Sequence, residues 1–170
     1  MIIKSKNFTL RYPRLSDYKA NFEIQQDKDT AMNFMSYPKT LKEAKKEVIS
    51  AIKENKKKVK TSENFAIDVN GKYAGGISIH NIFRNHMCKI TYNLGEKYRG
   101  KGIVSEAVKF ICDYAFKKYK LIRIEAGVRE YNKASIRILE KNGFKLEGVK
   151  RKAVFKKGQY YDDFIYAKVK

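Results

Sequence analysis

Cysteine is scarce in this chain: Cys88 and Cys112 are the two in 170 residues, and they form no C-x-x-C pair. That count and spacing exclude a disulfide scaffold and a zinc knuckle, and they fit a reducing compartment. Long apolar runs are missing, so no segment reads as a membrane span. The opening MIIKSKNF lacks the hydrophobic stretch of a secretory signal. The expectation is therefore a cytoplasmic protein. With no linker, repeat or low-complexity segment in view, residues 1–170 are expected to form one domain. Acidic residues are also few, 18 against 38 Lys and Arg, for a net charge of +20. A field of that sign draws anionic partners such as nucleotides, nucleic acid or acidic proteins. Only eight of the cations are arginine, the residue that reads bases and clamps phosphate. The twelve tyrosines do not interleave with them in a stacking pattern, so most of the lysines read as a solvated coat. His80 and His86 flank a turn without a third ligand, and no metal site is expected.

The remaining pattern is α+β, with a long and mostly antiparallel sheet. Alternating Phe8, Leu10 and Tyr12 mark a strand over 7–12 that Pro13 closes. Ser16 can cap a helix carrying Tyr18, Phe22 and Ile24, and 27–38 reads as a broken helix or lid ended by Pro38. Thr40 and Glu43 form a capping box for a helix whose apolar stripe is Leu41, Ala44, Val48, Ala51 and Ile52. Two apolar runs around Asn70-Gly71 predict a hairpin, and residues 87–94 a third strand. A strand at 121–128 and a capped helix ending at Gly143 follow, then two strands around KKGQ.

Residues 96–111, EKYRGKGIVSEAVKFI, hold two glycines and two cations within four positions, immediately before an amphipathic helix. Ile103, Val104, Ala107, Val108, Ile111, Tyr114 and Ala115 share its apolar face. The helix start offers free N–H groups and the positive end of the dipole. Gly100 and Gly102 bare those amides to an anion, while Arg99 and Lys101 add charge around it. A tight strand-to-helix turn with surface cations has the same spacing, and the stretch is neither a Walker loop nor G-x-G-x-x-G.

RGKGIV followed by SEAV resembles the Q/R-x-x-G-x-G/A acetyl-CoA motif of the GNAT superfamily of N-acetyltransferases. Arg99 takes the Q/R place and Gly102 the central glycine, while Val104 departs from the usual Gly or Ala. NKASIRILEKNGF at 132–144 resembles the family's second signature, and LEG…YYDDFIYAKV the C-terminal hairpin of its RimJ/RimL-like branch. The resemblance implies the GNAT fold: a mixed, mostly antiparallel sheet of about seven strands flanked by helices, with a V-shaped split for acetyl-CoA. It implies that amides of Gly100, Lys101, Gly102, Ile103 and Val104 hold the pyrophosphate, with the Ser105 hydroxyl beside them. The strand end at Tyr92, Asn93 and Leu94 would bulge and pair with the pantetheine arm, and Asn132 would meet the arm from the other side.

Acyl transfer to an amine needs a neutral nucleophile, a donor for the oxyanion and a proton for the leaving thiolate. A backbone N–H near Asn93–Leu94 would serve the oxyanion. The family's usual acid, a Tyr, is replaced here by Leu139, and RimL-type relatives point instead to Ser135, with Tyr92 lining the cleft. Val154 stands where some relatives carry a Glu base, leaving Glu63, His80 and Asp162 as substitutes. The implied activity is direct transfer from acetyl-CoA to a primary amine, a protein N-terminus or a small molecule, by a monomer or homodimer. The competing readings are a basic RNA- or ribosome-binding module and a CoA-binding relative that has lost catalysis.

Overall fold

The computed structural model describes residues 2–170. Strands β1 (Ile2–Lys4) and β2 (Thr9–Arg11) come first, followed by α1 (Tyr18–Gln26), α2 (Lys28–Asn33) and α3 (Leu41–Lys56). A meander of β3 (Ser62–Val69), β4 (Lys72–Phe83) and β5 (Met87–Leu94) leads into α4 (Ile103–Tyr119) and β6 (Arg123–Arg129). Helix α5 (Lys133–Lys141), β7 (Lys145–Lys156) and β8 (Gln159–Val169) complete the chain. One eight-stranded sheet runs in the order β1-β2-β3-β4-β5-β6-β8-β7. It has eight strands rather than about seven because β1 pairs with β2, and its three residues are too short to show an alternating pattern.

Turn chemistry sets the hairpins. Asn70 (φ 51) and Gly71 (φ 79) are both left-handed between β3 and β4, as are Lys157 and Gly158 between β7 and β8. Consecutive positive φ values match the twist of the flanking strands. Ile77, Ile79 and Ile90 pack with Ala107, Val108 and Ile111 of α4 in a core where each is at most 2% exposed. The helix signals hold with local corrections. Asp17, rather than Ser16, secures the entry to α1, its carboxylate accepting the Arg14 N–H at 2.7 Å. Thr40 caps α3 through the Glu43 N–H, but the Glu43 carboxylate reaches back to the Lys39 N–H, one residue earlier than a capping box requires. Leu41, at the exposed start of α3, leaves the stripe.

The feature that positions the site is a seam. Strands β5 and β6 are parallel and pair only from Met87↔Arg123 to Lys89↔Glu125. Beyond that row β5 stays with β4 as far as Gly75↔Leu94, and β6 stays with β8 as far as Arg129↔Asp163. The sheet therefore opens in a V between them.

Candidate active site

Helix α4 starts at the open end of the V. Gly102 is its N-cap at φ 74, and Gly100 lies at φ 75, the left-handed region that side chains disfavour. A Cβ built on either glycine meets no atom within 4 Å. The backbone before the helix is thus bare, positive and faced by open space, the arrangement that accepts an anion. All twelve residues singled out above (Tyr92, Asn93, Leu94, Arg99, Gly100, Lys101, Gly102, Ile103, Val104, Ser105, Asn132 and Ser135) line one cleft of about 720 Å³. Val104 is buried and packs in the core.

The strand end differs from expectation. The β4–β5 register runs unshifted from Ile79↔Ile90 to Gly75↔Leu94, so Tyr92–Leu94 carries no bulge. A side chain joins the ladder there: Asn93 Oδ1 accepts the Gly76 N–H at 2.8 Å.

Tyr92 and Ser135 meet across the V, sharing a hydrogen bond of 2.7 Å. Ser135 is fixed by the Asn132 cap, whose Oδ1 accepts the Ser135 N–H at 3.0 Å. Burial pushes the Tyr92 phenol up to about 12, against a smaller opposing effect of Ser135. Near neutral pH it is an intact O–H and can donate a proton. Leu139 and Val154 are at most 2% exposed, packed as core with no polar role.

A strap crosses the cleft, formed by α2 and the residues after it. On one wall Arg99 donates to the Leu94 carbonyl, to both Asp27 oxygens, to Asp29 and to Thr30, all at 3.0–3.2 Å. On the other wall, Tyr131 donates to the Met32 carbonyl at 2.6 Å and Asn132 Nδ2 to Asn33 Oδ1 at 2.8 Å. Lys156 reaches the Phe34 carbonyl at 2.7 Å. Burial favours the neutral Asp27 carboxyl, but the Arg99 hydrogen bond and the α2 amides outweigh it and hold its pKa below the ordinary value. The reading of 27–38 as a broken helix or lid locates this segment, but these partners lie 69–122 residues away and leave no local trace. Arg99 is thus engaged as a tie between strap and cradle.

A second cavity of about 430 Å³ opens on the V, sharing Asn33, Phe34, Tyr92, Asn132 and Ser135 with the first. Its remaining walls include His80, Lys89, Glu125, Arg129 and Asp163. Of the three substitute bases, only His80 is here. Glu63 is fully buried elsewhere, its carboxylate accepting from the Tyr12, Tyr114 and Tyr119 hydroxyls and from Lys118. Asp162 lines neither cavity and accepts the Lys152 N–H.

Comparison with known proteins agrees with this geometry. The acetyltransferase (GNAT) domain model matches residues 7–145. The probable N-acetyltransferase YjcK of Bacillus subtilis is 44% identical over 95 residues, 55% of this chain. The match spans about half, 52%, of that relative's length. The microcin C7 self-immunity acetyltransferase MccE, solved with acetyl-CoA and AMP, is 28% identical with a TM-score of 0.84, covering 97% of this chain and 93% of its own. RimL, a ribosomal L7/L12 alpha-N-protein acetyltransferase solved with coenzyme A, shares the fold at a TM-score of 0.88. It is 24% identical, with 99% of this chain and 98% of RimL covered. By the domain match and by the fold, this chain belongs to the GNAT family of acetyltransferases.

Proposed function

We propose that the protein transfers the acetyl group of acetyl-CoA directly to a primary amine, a protein N-terminus or a small molecule, in a ternary complex. The observation that carries this is the meeting of a bare helix N-terminus and a buried hydroxyl pair in one cleft. The residues fit the cosubstrate, since a diphosphate is what the open cradle at Gly100–Val104 suits. The amides of Gly100 to Val104 would hold the pyrophosphate, with Lys101 adding charge and Ser105 a hydroxyl. Asn93, Leu94 and Asn132 would flank the pantetheine arm, and a backbone N–H near Asn93–Leu94 would stabilise the oxyanion.

In this reading the amine attacks the thioester carbonyl, a C–N bond forms and the C–S bond breaks. The hydroxyl pair of Ser135 and Tyr92 delivers a proton to the departing sulfur. Tyr92 holds that proton at neutral pH because burial keeps the phenol un-ionised. A single domain in the cytoplasm fits this chemistry, since two buried thiols persist in a reducing compartment.

Calorimetric titration with acetyl-CoA and with free CoA, followed by thiol release over a panel of amines, tests the proposal. Saturable one-site binding and amine-dependent thiol release are expected. Absence of binding would remove the acetyl-transfer reading and leave the basic surface as the next suspect.

A further inference from the structure

Among the described residues, two buried side-chain polar atoms have no hydrogen-bond partner: His80 Nε2 and Arg129 Nε. Both residues line the second cavity, the one that meets the cosubstrate cleft at Tyr92 and Ser135. Buried nitrogens left unpaired are costly, and finding two around one cavity points to a polar ligand that completes them. From this, and resting on the acetyl-transfer reading, we infer that His80 is the proton acceptor for the substrate amine.

The sheet places His80 at the point where the seam opens. Ser62, His80, Lys89 and Glu125 lie in one row across β3, β4, β5 and β6, and that row is the last that β5 and β6 share. Tyr92 is three residues further along β5, an odd step that turns it to the opposite face from Lys89 and His80, so the two side chains border the same space only where the seam opens. An amine entering that opening from the His80 side comes up to the hydroxyl pair, and one water would link it to the imidazole. The groups facing the imidazole are of both signs. Lys89 lies opposite on β5 and is paired with Glu125 of β6 at 3.4 Å. Further round the cavity Arg129 of β6 is paired with Asp163 of β8, and Lys150 comes from β7. Burial, reinforced by Lys89, lowers the His80 pKa below the ordinary histidine value. The imidazole is therefore neutral near pH 7 with a lone pair to offer. Arg129 Nε–H suits an oxygen of the acceptor next to its amine.

The step balances. The ammonium gives one proton to His80, which passes it to water, and the neutral amine attacks. The second proton lost from nitrogen balances the one that sulfur gains through Ser135 and Tyr92. The products are the amide, CoA thiol and one released proton.

The test compares wild type with His80→Gln and His80→Ala, using a short peptide with a free N-terminus and an amine panel as acceptors. Melting temperature and acetyl-CoA titration control for folding and for the cosubstrate cleft. We expect kcat to fall about 100-fold or more in both variants, the size of a general-base contribution, with acetyl-CoA affinity unchanged. The acidic limb of the kcat profile, set by the low His80 pKa, should vanish, and added imidazole should restore rate to His80→Ala. Full rate and an intact limb in His80→Gln would overturn the assignment while leaving acetyl transfer standing. A wild type that binds acetyl-CoA but acetylates no amine would overturn both.

Discussion

Gly102→Ala separates the cradle from the fold. The residue sits at φ 74, and left-handed backbone costs a non-glycine residue about 1–2 kcal/mol. The added Cβ meets no atom within 4 Å, so no packing penalty joins that strain. At about 2–4 °C per kcal/mol for a chain of this size, the melting temperature should fall by about 2–8 °C. The same methyl projects where an anion would approach the amides. Losing one charge-assisted hydrogen bond, about 1.5–3 kcal/mol, weakens acetyl-CoA binding roughly 10- to 150-fold. Thermal melts of the free protein and calorimetric titrations of both variants read the two effects separately. An unchanged Kd beside the expected loss of stability would refute the cradle. A collapse of the fold would refute the open space in front of it.

Tyr92→Phe and Ser135→Ala should each lower kcat by about 10²–10⁴-fold with little change in acetyl-CoA affinity. The double variant should cost little more than either alone, because the pair acts through one 2.7 Å hydrogen bond; additive losses in steady-state kinetics would argue against a shared role. Arg99→Ala removes the ties to Asp27, Asp29 and Thr30, and hydrogen exchange at residues 28–33 should accelerate. As these groups are partly exposed, global stability should drop by only about 1 kcal/mol; unchanged exchange would mean that Arg99 does not hold the strap. Glu63 is held below its ordinary pKa because hydrogen bonds from Tyr119, Tyr12, Lys118 and Tyr114 outweigh its burial. Its contribution to stability is therefore present above the unfolded carboxylate pKa of about 4.3 and fades as pH falls through the folded value. Glu63→Gln should flatten that acid dependence in melts at pH 3–7, and an unaltered profile would place the acid lability elsewhere.

How much of this was legible in the sequence depended on distance along the chain. Hairpin turns, the Asn132 cap and the two-glycine helix start are local, and each was readable from a few neighbouring residues. β5 matches its apolar alternation over Met87–Leu94, because Cys88, Ile90 and Leu94 turn one face into the core while Lys89 and Thr91 on the other face are less buried. β1 was invisible, since three residues define no period. The strap's ties, Asp27 to Arg99 and Met32 to Tyr131, join positions 72 and 99 residues apart, and no local rule links them. Arg129 escaped notice for a similar reason: its orphaned nitrogen is a property of the cavity and not of the residue. His80 could be named only as one of three candidates until the fold sent Glu63 into a tyrosine cluster and Asp162 to the irregular stretch of the β7–β8 pair, where it accepts the Lys152 N–H.

The arrangement also bears on the route of transfer. A covalent acetyl-enzyme requires a nucleophile that is exposed to the thioester and able to ionise. Cys88 and Cys112 have neither property: both are 0% exposed, and burial pushes both thiols up to about 12. Neither lines the cleft or the second cavity. Ser135 is reached from both cavities, but its hydroxyl is paired with Tyr92, a phenol held in its protonated form, and not with a base that could activate it. What the V does supply is access for two ligands to one point. The first cavity ends at Tyr92 and Ser135 from the side of the glycine cradle, and the second ends at the same pair from the side of His80 and Arg129. Such a site brings a thioester and an amine together without a protein nucleophile between them, which supports direct transfer. Double-reciprocal kinetics with both substrates varied should accordingly give intersecting lines, and parallel lines would require an acyl-enzyme that these buried thiols cannot form.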